Sequence, residues 1–204
     1  MKYFGLILVI LTFSFAINAQ DMKNINVDAA DYYSQIPDYP DQYTSTNIAA
    51  RMVDGLGFRY YWATRGLRNE DLTFSPNDDA RTTSQTLDHI YTLTLIVRNS
   101  VTGGSNSKNE NSEAWSFEKK RAKTLENISE VSKRLKASSE EDLSNYIAVF
   151  EQGERITKYP FWNMINGPIA DAIWHIGQVV SFRRSSGNPI SPGVSMLNGT
   201  YSRK

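Results

Sequence analysis

The stretch Thr82-Thr83-Ser84-Gln85-Thr86-Leu87-Asp88-His89-Ile90-Tyr91-Thr92-Leu93-Thr94-Leu95-Ile96-Val97-Arg98 joins a helix start to a run with almost no polar face. Thr82 and Gln85 stand at capping-box spacing: the hydroxyl of one serves the amide of the other, and the Gln85 side chain reaches back. A helix is predicted from about Thr83 to Arg98 or Ser100, with Leu87, Ile90, Tyr91, Leu93, Leu95, Ile96 and Val97 spread around it. A helix that is apolar on most sides is stable only when other elements surround it. The pattern predicts an all-α protein with this helix inside a bundle.

Three further segments supply its neighbours. Ile48, Met52, Leu56, Tyr60, Ala63 and Leu67 recur at spacings of three and four from Thr46 onward, which marks an amphipathic helix despite Gly55 and Gly57. Each glycine costs about 1 kcal/mol relative to alanine, so packing must hold this helix together. Ala122, Leu125, Ile128, Val131 and Leu135 form a stripe opposite Lys119, Lys120, Glu126 and Lys133, a charged set that reads as a solvated face. Glu130 precedes Arg134 at the spacing of a helical ion pair. After Asn166-Gly167-Pro168, with Pro168 in the first turn, Ile169, Ala172, Ile173, Ile176, Val179, Val180 and Phe182 carry a fourth helix to about Ser185. Before it, residues 146–150 and 155–159 flank Gln152-Gly153 as a short β-hairpin. Four helices in a bundle over residues 46–187 are therefore expected, behind an extended N-terminal arm at 20–45 and ahead of a coil tail at 188–204.

Composition narrows the chemistry. The 204 residues include 22 basic and 22 acidic side chains, a zero net charge that argues against a nucleic-acid backbone as the main partner. The absence of cysteine removes disulfides, thiolate zinc sites, iron–sulfur clusters and cysteine nucleophiles. No Gly-x-Ser-x-Gly elbow, phosphate loop or dinucleotide fingerprint occurs. Lys2, an apolar stretch to about Ala16 and then Ile17-Asn18-Ala19 have the form of a secretory signal peptide, residues 1–19, cleaved near Ala19. The apolar run is shorter than the roughly 20 residues of a spanning helix, and no basic stop-transfer cluster follows. The expectation is an exported protein, periplasmic or extracellular, with no membrane contact after cleavage.

His89 and His175 are the two histidines of the chain. Asp171 and His175, four apart, share one helix face and can reach one cation. If the second helix packs on the fourth, His89 adds a third ligand. Two imidazoles and a carboxylate suit zinc, and also nickel, manganese or iron(II), and leave positions open for water. An Asp–His pair at this spacing is equally an ordinary helix contact, so spacing by itself leaves both readings open.

The segments Gln85-Thr86-Leu87-Asp88-His89-Ile90 and Asp171-Ala172-Ile173-Trp174-His175-Ile176-Gly177-Gln178, with Phe182-Arg183-Arg184 and Gly187-Asn188-Pro189 beyond, resemble the DinB/YfiT-like family of four-helix metal-binding proteins. That family has His-x-x-x-His on its last helix, the second histidine shortly before Gly-Gln and then an arginine and a glycine. The resemblance implies His89 and His175 as the first and third ligands, with Asp171 in place of the middle histidine. It follows the element order from about Thr46 to Pro189, although its specific part is confined to these segments. It also implies an up-down-down-up bundle, a divalent metal, with zinc or nickel ahead of manganese or iron, and often a homodimer. A carboxylate ligand leaves less positive charge on the ion than an imidazole, so bound water should be acidified less.

Family members include thiol-dependent transferases or isomerases and proteins that look like metal-dependent hydrolases. Exported compartments are poor in free thiols, which favours hydrolysis of a small molecule by metal-activated water over a thiol-dependent transferase. The non-enzymatic alternative is a helical binding or interaction protein with a degenerate metal site, using Tyr32, Tyr33, Tyr39 and Tyr43 of the arm unless these cover the core. Substrate contacts are expected from Gln178, Trp174 and Arg183. Gln178 also reads as a packing amide, and Arg183 and Arg184 as partners of the helix dipole.

Overall fold

The structure, a computed structural model, describes residues 32–107 and 114–203. Residues 1–19, read as a signal peptide, and the arm residues 20–31 lie outside this range. Helices dominate, joined by two small sheets. The long helices are α1 (Ser45–Thr64), α3 (Thr83–Thr102), α4 (Phe117–Lys136) and α7 (Ala170–Ser185). Short helices α2 (Asn69–Thr73), α5 (Glu140–Asn145) and α6 (Phe161–Met164) fill the connections. Strands β2 (Ile147–Gln152) and β3 (Arg155–Pro160) form the expected antiparallel hairpin, and β1 (Ser105–Asn106) pairs parallel to β2.

Each long helix touches two others: α4 lies between α1 and α3, and α7 completes the ring between the same two. Specific contacts fix the directions. Thr64, at the end of α1, accepts from Arg121 near the start of α4, while Asp54 meets Ser132 and Lys136 near the end of α4, so these helices are antiparallel. Lys120 pairs with Asp88 and Glu130 with Arg98, so α3 and α4 run the same way. Val53 and Leu56 of α1 line a small apolar pocket with Thr94 and Val97 of α3, together with Pro168 and Ile169 just ahead of α7. Farther along α7, Arg183 meets Trp62 and Ala63 of α1, and His175 meets His89 of α3. Hence α7 is parallel to α1 and antiparallel to α3.

The core confirms α3 as a buried element: Leu87, Ile90, Leu93 and Val97 pack with Leu125, Ile128, Val131 and Leu135 of α4. On α1 the buried face differs from the predicted stripe. Leu56, Tyr60 and Ala63 of that stripe are buried, but Ile48 and Met52 are exposed while Ala49, Ala50, Val53 and Phe58 are buried. The arm packs on α1 as well, at Arg51, Asp54 and Trp62. A Cβ at Gly57 would lie 2.5 Å from the ring of Tyr33, so this helical glycine makes room for a buried tyrosine. The Tyr33 hydroxyl donates to Asp54, which also accepts from Ser132 and pairs with Lys136 at 2.7 Å. Lys120 departs from the solvated-face expectation: it is buried against Asp88. Glu130 binds Arg98 across the helix contact at 2.5 Å in place of the expected Arg134.

The last helix does not begin at Pro168. The chain is already helical from Phe161 and passes through a widened π turn at Ile165–Ile169, where Gly167 departs from helical geometry (φ −94°, ψ −107°). Proline lacks the amide hydrogen and disfavours the α conformation at the preceding residue, which localises the break there. The tail is more than coil: β4 (Val194–Ser195) and β5 (Thr200–Tyr201) pair antiparallel, Tyr201 stacks on Trp62, and Ile36 donates to the Gly199 carbonyl. Asp71, fully buried, ties α2 to the turn after α7 by accepting from Arg68, Ser186 and Asn188. Among the described residues no helix is long and apolar enough to cross a membrane.

Candidate metal centre

The capping box that starts α3 is formed as expected: the Gln85 amide donates to Thr82 Oγ1 at 3.2 Å and the Thr82 amide to Gln85 Oε1 at 2.9 Å. It sets the phase of the helix that carries His89. On the facing helix, the break at Gly167-Pro168 sets the phase of α7, which presents Asp171 in its first turn and His175 one turn later.

The three side chains meet where α3 and α7 pack. His89 Nε2 lies 3.4 Å from Asp171 Oδ2, and His175 Nε2 lies 3.3 Å from Asp171 Oδ1. The imidazole centroids are 4.7 Å apart with their planes near perpendicular. One ligand atom from each residue falls within 4.8 Å of the others, so this His/Asp/His group can hold a metal ion. The donor chemistry fits. A tetrahedral ion with bonds of about 2.1 Å separates its ligands by about 3.4 Å, and each imidazole nitrogen stands at about that distance from one carboxylate oxygen, Oδ2 for His89 and Oδ1 for His175. The side chains of His89, Asp171 and His175 are 32%, 41% and 15% exposed, so the group opens to solvent on one side and leaves room for a further ligand.

Burial pushes the His89 imidazole below its ordinary pKa, and the neighbourhood of His175 and of the Arg81 guanidinium acts the same way. The Asp171 carboxylate opposes the shift without cancelling it. The shift favours the neutral imidazole, the state in which its ring nitrogen has a lone pair to give. The influence of Arg81, just ahead of the α3 cap, is a feature the sequence pattern did not reveal.

The remaining candidates divide. Trp174 precedes His175 on α7 and is 74% exposed. Gln178 is spent on His175, with Oε1 2.7 Å from Nδ1. Arg183 is a correction. It is buried, and its guanidinium donates to the carbonyls of Trp62, Ala63, Arg65 and Asn188 and to Asn188 Oδ1. The carbonyls of Trp62, Ala63 and Arg65 lie at the end of α1, so the buried Arg183 caps a neighbouring helix and ties it to the turn after α7, with most of its donors spent there instead of on a substrate anion. Family models, curated proteins and solved structures offer no match to the chain.

Proposed function

We propose that the chain is a DinB-like four-helix bundle of up-down-down-up topology that holds a divalent metal on His89, Asp171 and His175 and hydrolyses a small molecule. The observation that carries this reading is the Asp171 carboxylate set between two imidazole nitrogens at ligand spacing, on a side open to solvent. The helix directions support the topology, since α1 and α7 run one way and α3 and α4 the other. Zinc or nickel suits the donor set best, with manganese or iron(II) next. When bound, such an ion supplies Lewis-acid polarisation and a water of lowered pKa. The chain contributes two imidazoles, His89 being biased toward its neutral form, and a carboxylate that offsets part of the ionic charge, while the exposed ring of Trp174 next to His175 offers a flat apolar surface to a substrate. Export with a cleaved signal peptide belongs to the same proposal and favours water over a thiol as the nucleophile.

The experiment is hydrolysis of a panel of small esters and amides by the zinc-loaded chain, the chelated chain and His89→Ala. Turnover confined to the loaded wild type supports the proposal. Zinc binding without turnover favours the non-catalytic interaction protein, for which the arm offers Tyr39 and Tyr43, 77% and 98% exposed.

A further inference from the structure

We infer that Gln178 is a positioning residue that fixes the tautomer of His175 and turns the Nε2 lone pair toward Asp171 and the metal position. Gln178 lies three residues beyond His175 on α7, on the same face. Its carbonyl oxygen Oε1 stands 2.7 Å from His175 Nδ1. A carbonyl oxygen only accepts, so Nδ1 carries the hydrogen, and in the neutral ring Nε2 is then bare. That bare nitrogen lies 3.3 Å from a carboxylate oxygen. In the neutral ring two lone-pair acceptors then face each other and repel, a contact that either a metal cation between them or a second ring proton turns into attraction. The arrangement is the one that metal-bound histidines use, in which the second ring nitrogen donates to a fixed acceptor.

The opposite orientation of the Gln178 amide has a different meaning. With its NH₂ toward the ring, Nδ1 would accept, Nε2–H would donate to Asp171, and the group would close as a hydrogen-bond chain with no need of an ion. The two arrangements differ in which nitrogen of His175 carries the hydrogen. Among the described residues His89 Nδ1 has no such acceptor, so His89 serves as an internal reference.

The role toward a metal rests on the proposed function, but the tautomer does not, and the test separates them. The full chain, labelled with ¹⁵N-histidine and stripped of metal, is examined by long-range ¹H–¹⁵N NMR at about pH 8, above the ordinary histidine range. Wild type should show His175 as the Nδ1–H tautomer. Gln178→Glu should keep it, because a carboxylate also accepts, and Gln178→Leu should move it toward Nε2–H while His89 stays unchanged. Zinc affinity, read by competition with a chromophoric chelator, should fall about tenfold in Gln178→Leu and be restored in Gln178→Glu. An Nε2–H tautomer at His175 in wild type overturns the inference, and this result needs no variant to fold. An unchanged tautomer in a folded Gln178→Leu overturns it equally. Nδ1–H in a wild type that takes up no zinc sustains the tautomer assignment and contradicts the metal proposal.

Discussion

His89 Nε2 lies 3.4 Å from Asp171 Oδ2, although α4, the hairpin and the kinked π segment separate the two residues along the chain. The carboxylate is the link between imidazoles on two helices, so its replacement should be graded by donor chemistry. Asp171→Ala should weaken zinc binding by about 100-fold or more, since two ligands hold a divalent ion poorly, and Asp171→His should retain it. Isothermal titration with zinc makes the comparison, and equal affinity in Asp171→Ala would show that the histidines recruit another third ligand.

Arg183 should act on stability and leave the metal alone. Arg183→Lys loses the planar fork that gathers the last carbonyls of α1, and should cost about 2 to 4 kcal/mol in urea unfolding with zinc affinity unchanged. A variant of normal stability that binds zinc weakly would return Arg183 to the site.

Asp71 should dominate the acid limb of the stability curve. The Arg68 guanidinium beside it, with hydrogen bonds from Ser186 and Asn188, holds its carboxyl well below the usual carboxylate range despite burial. The folded pKa is depressed, so the stabilisation is complete above the unfolded value near 4 and is lost as pH falls toward the folded value. Asp71→Asn should destabilise by about 1.5 to 3 kcal/mol at neutral pH and flatten the decline below about pH 4, measured by thermal unfolding across pH. An unaltered acid limb would place the responsible carboxylate elsewhere.

Two helical glycines should respond in opposite senses to alanine. At Gly177, on α7, an added Cβ meets nothing within 4 Å, so Gly177→Ala should stabilise by about 0.5 to 1 kcal/mol through helix propensity. At Gly57 the same atom would strike Tyr33, and Gly57→Ala should destabilise by about 2 kcal/mol despite the propensity gain. Chemical denaturation of the pair tests whether the arm is packed as closely as Tyr33 indicates.

The helical part of this fold was legible where periodicity and caps act locally. The Thr82–Gln85 box, the Leu125–Leu135 stripe and the hairpin around Gly153 all depend on neighbours a few residues apart. The pairs Asp54–Lys136 and Asp88–Lys120, each with one buried member, were not, because a charge reads as solvent-facing until a partner from another helix is in place. Ile48 and Met52 fit the period of α1 yet lie exposed, because which face of a helix is buried depends on the elements packed on it, here α4, α7 and the arm. In the site, the i,i+4 spacing of Asp171 and His175 was visible, and their meeting with His89 required the packing of α3 on α7. The capping role of Arg183 depends on the end of α1, far away in sequence.

Elemental analysis of the purified full chain after dialysis against trace zinc, beside His89→Ala and His175→Ala, tests the metal centre most directly. The wild type should retain about one divalent ion per chain and each histidine variant should lose most of it, with all three proteins equally helical by circular dichroism. A wild type that retains no divalent ion, or histidine variants that retain as much as the wild type, would contradict the assignment of His89, Asp171 and His175 as ligands.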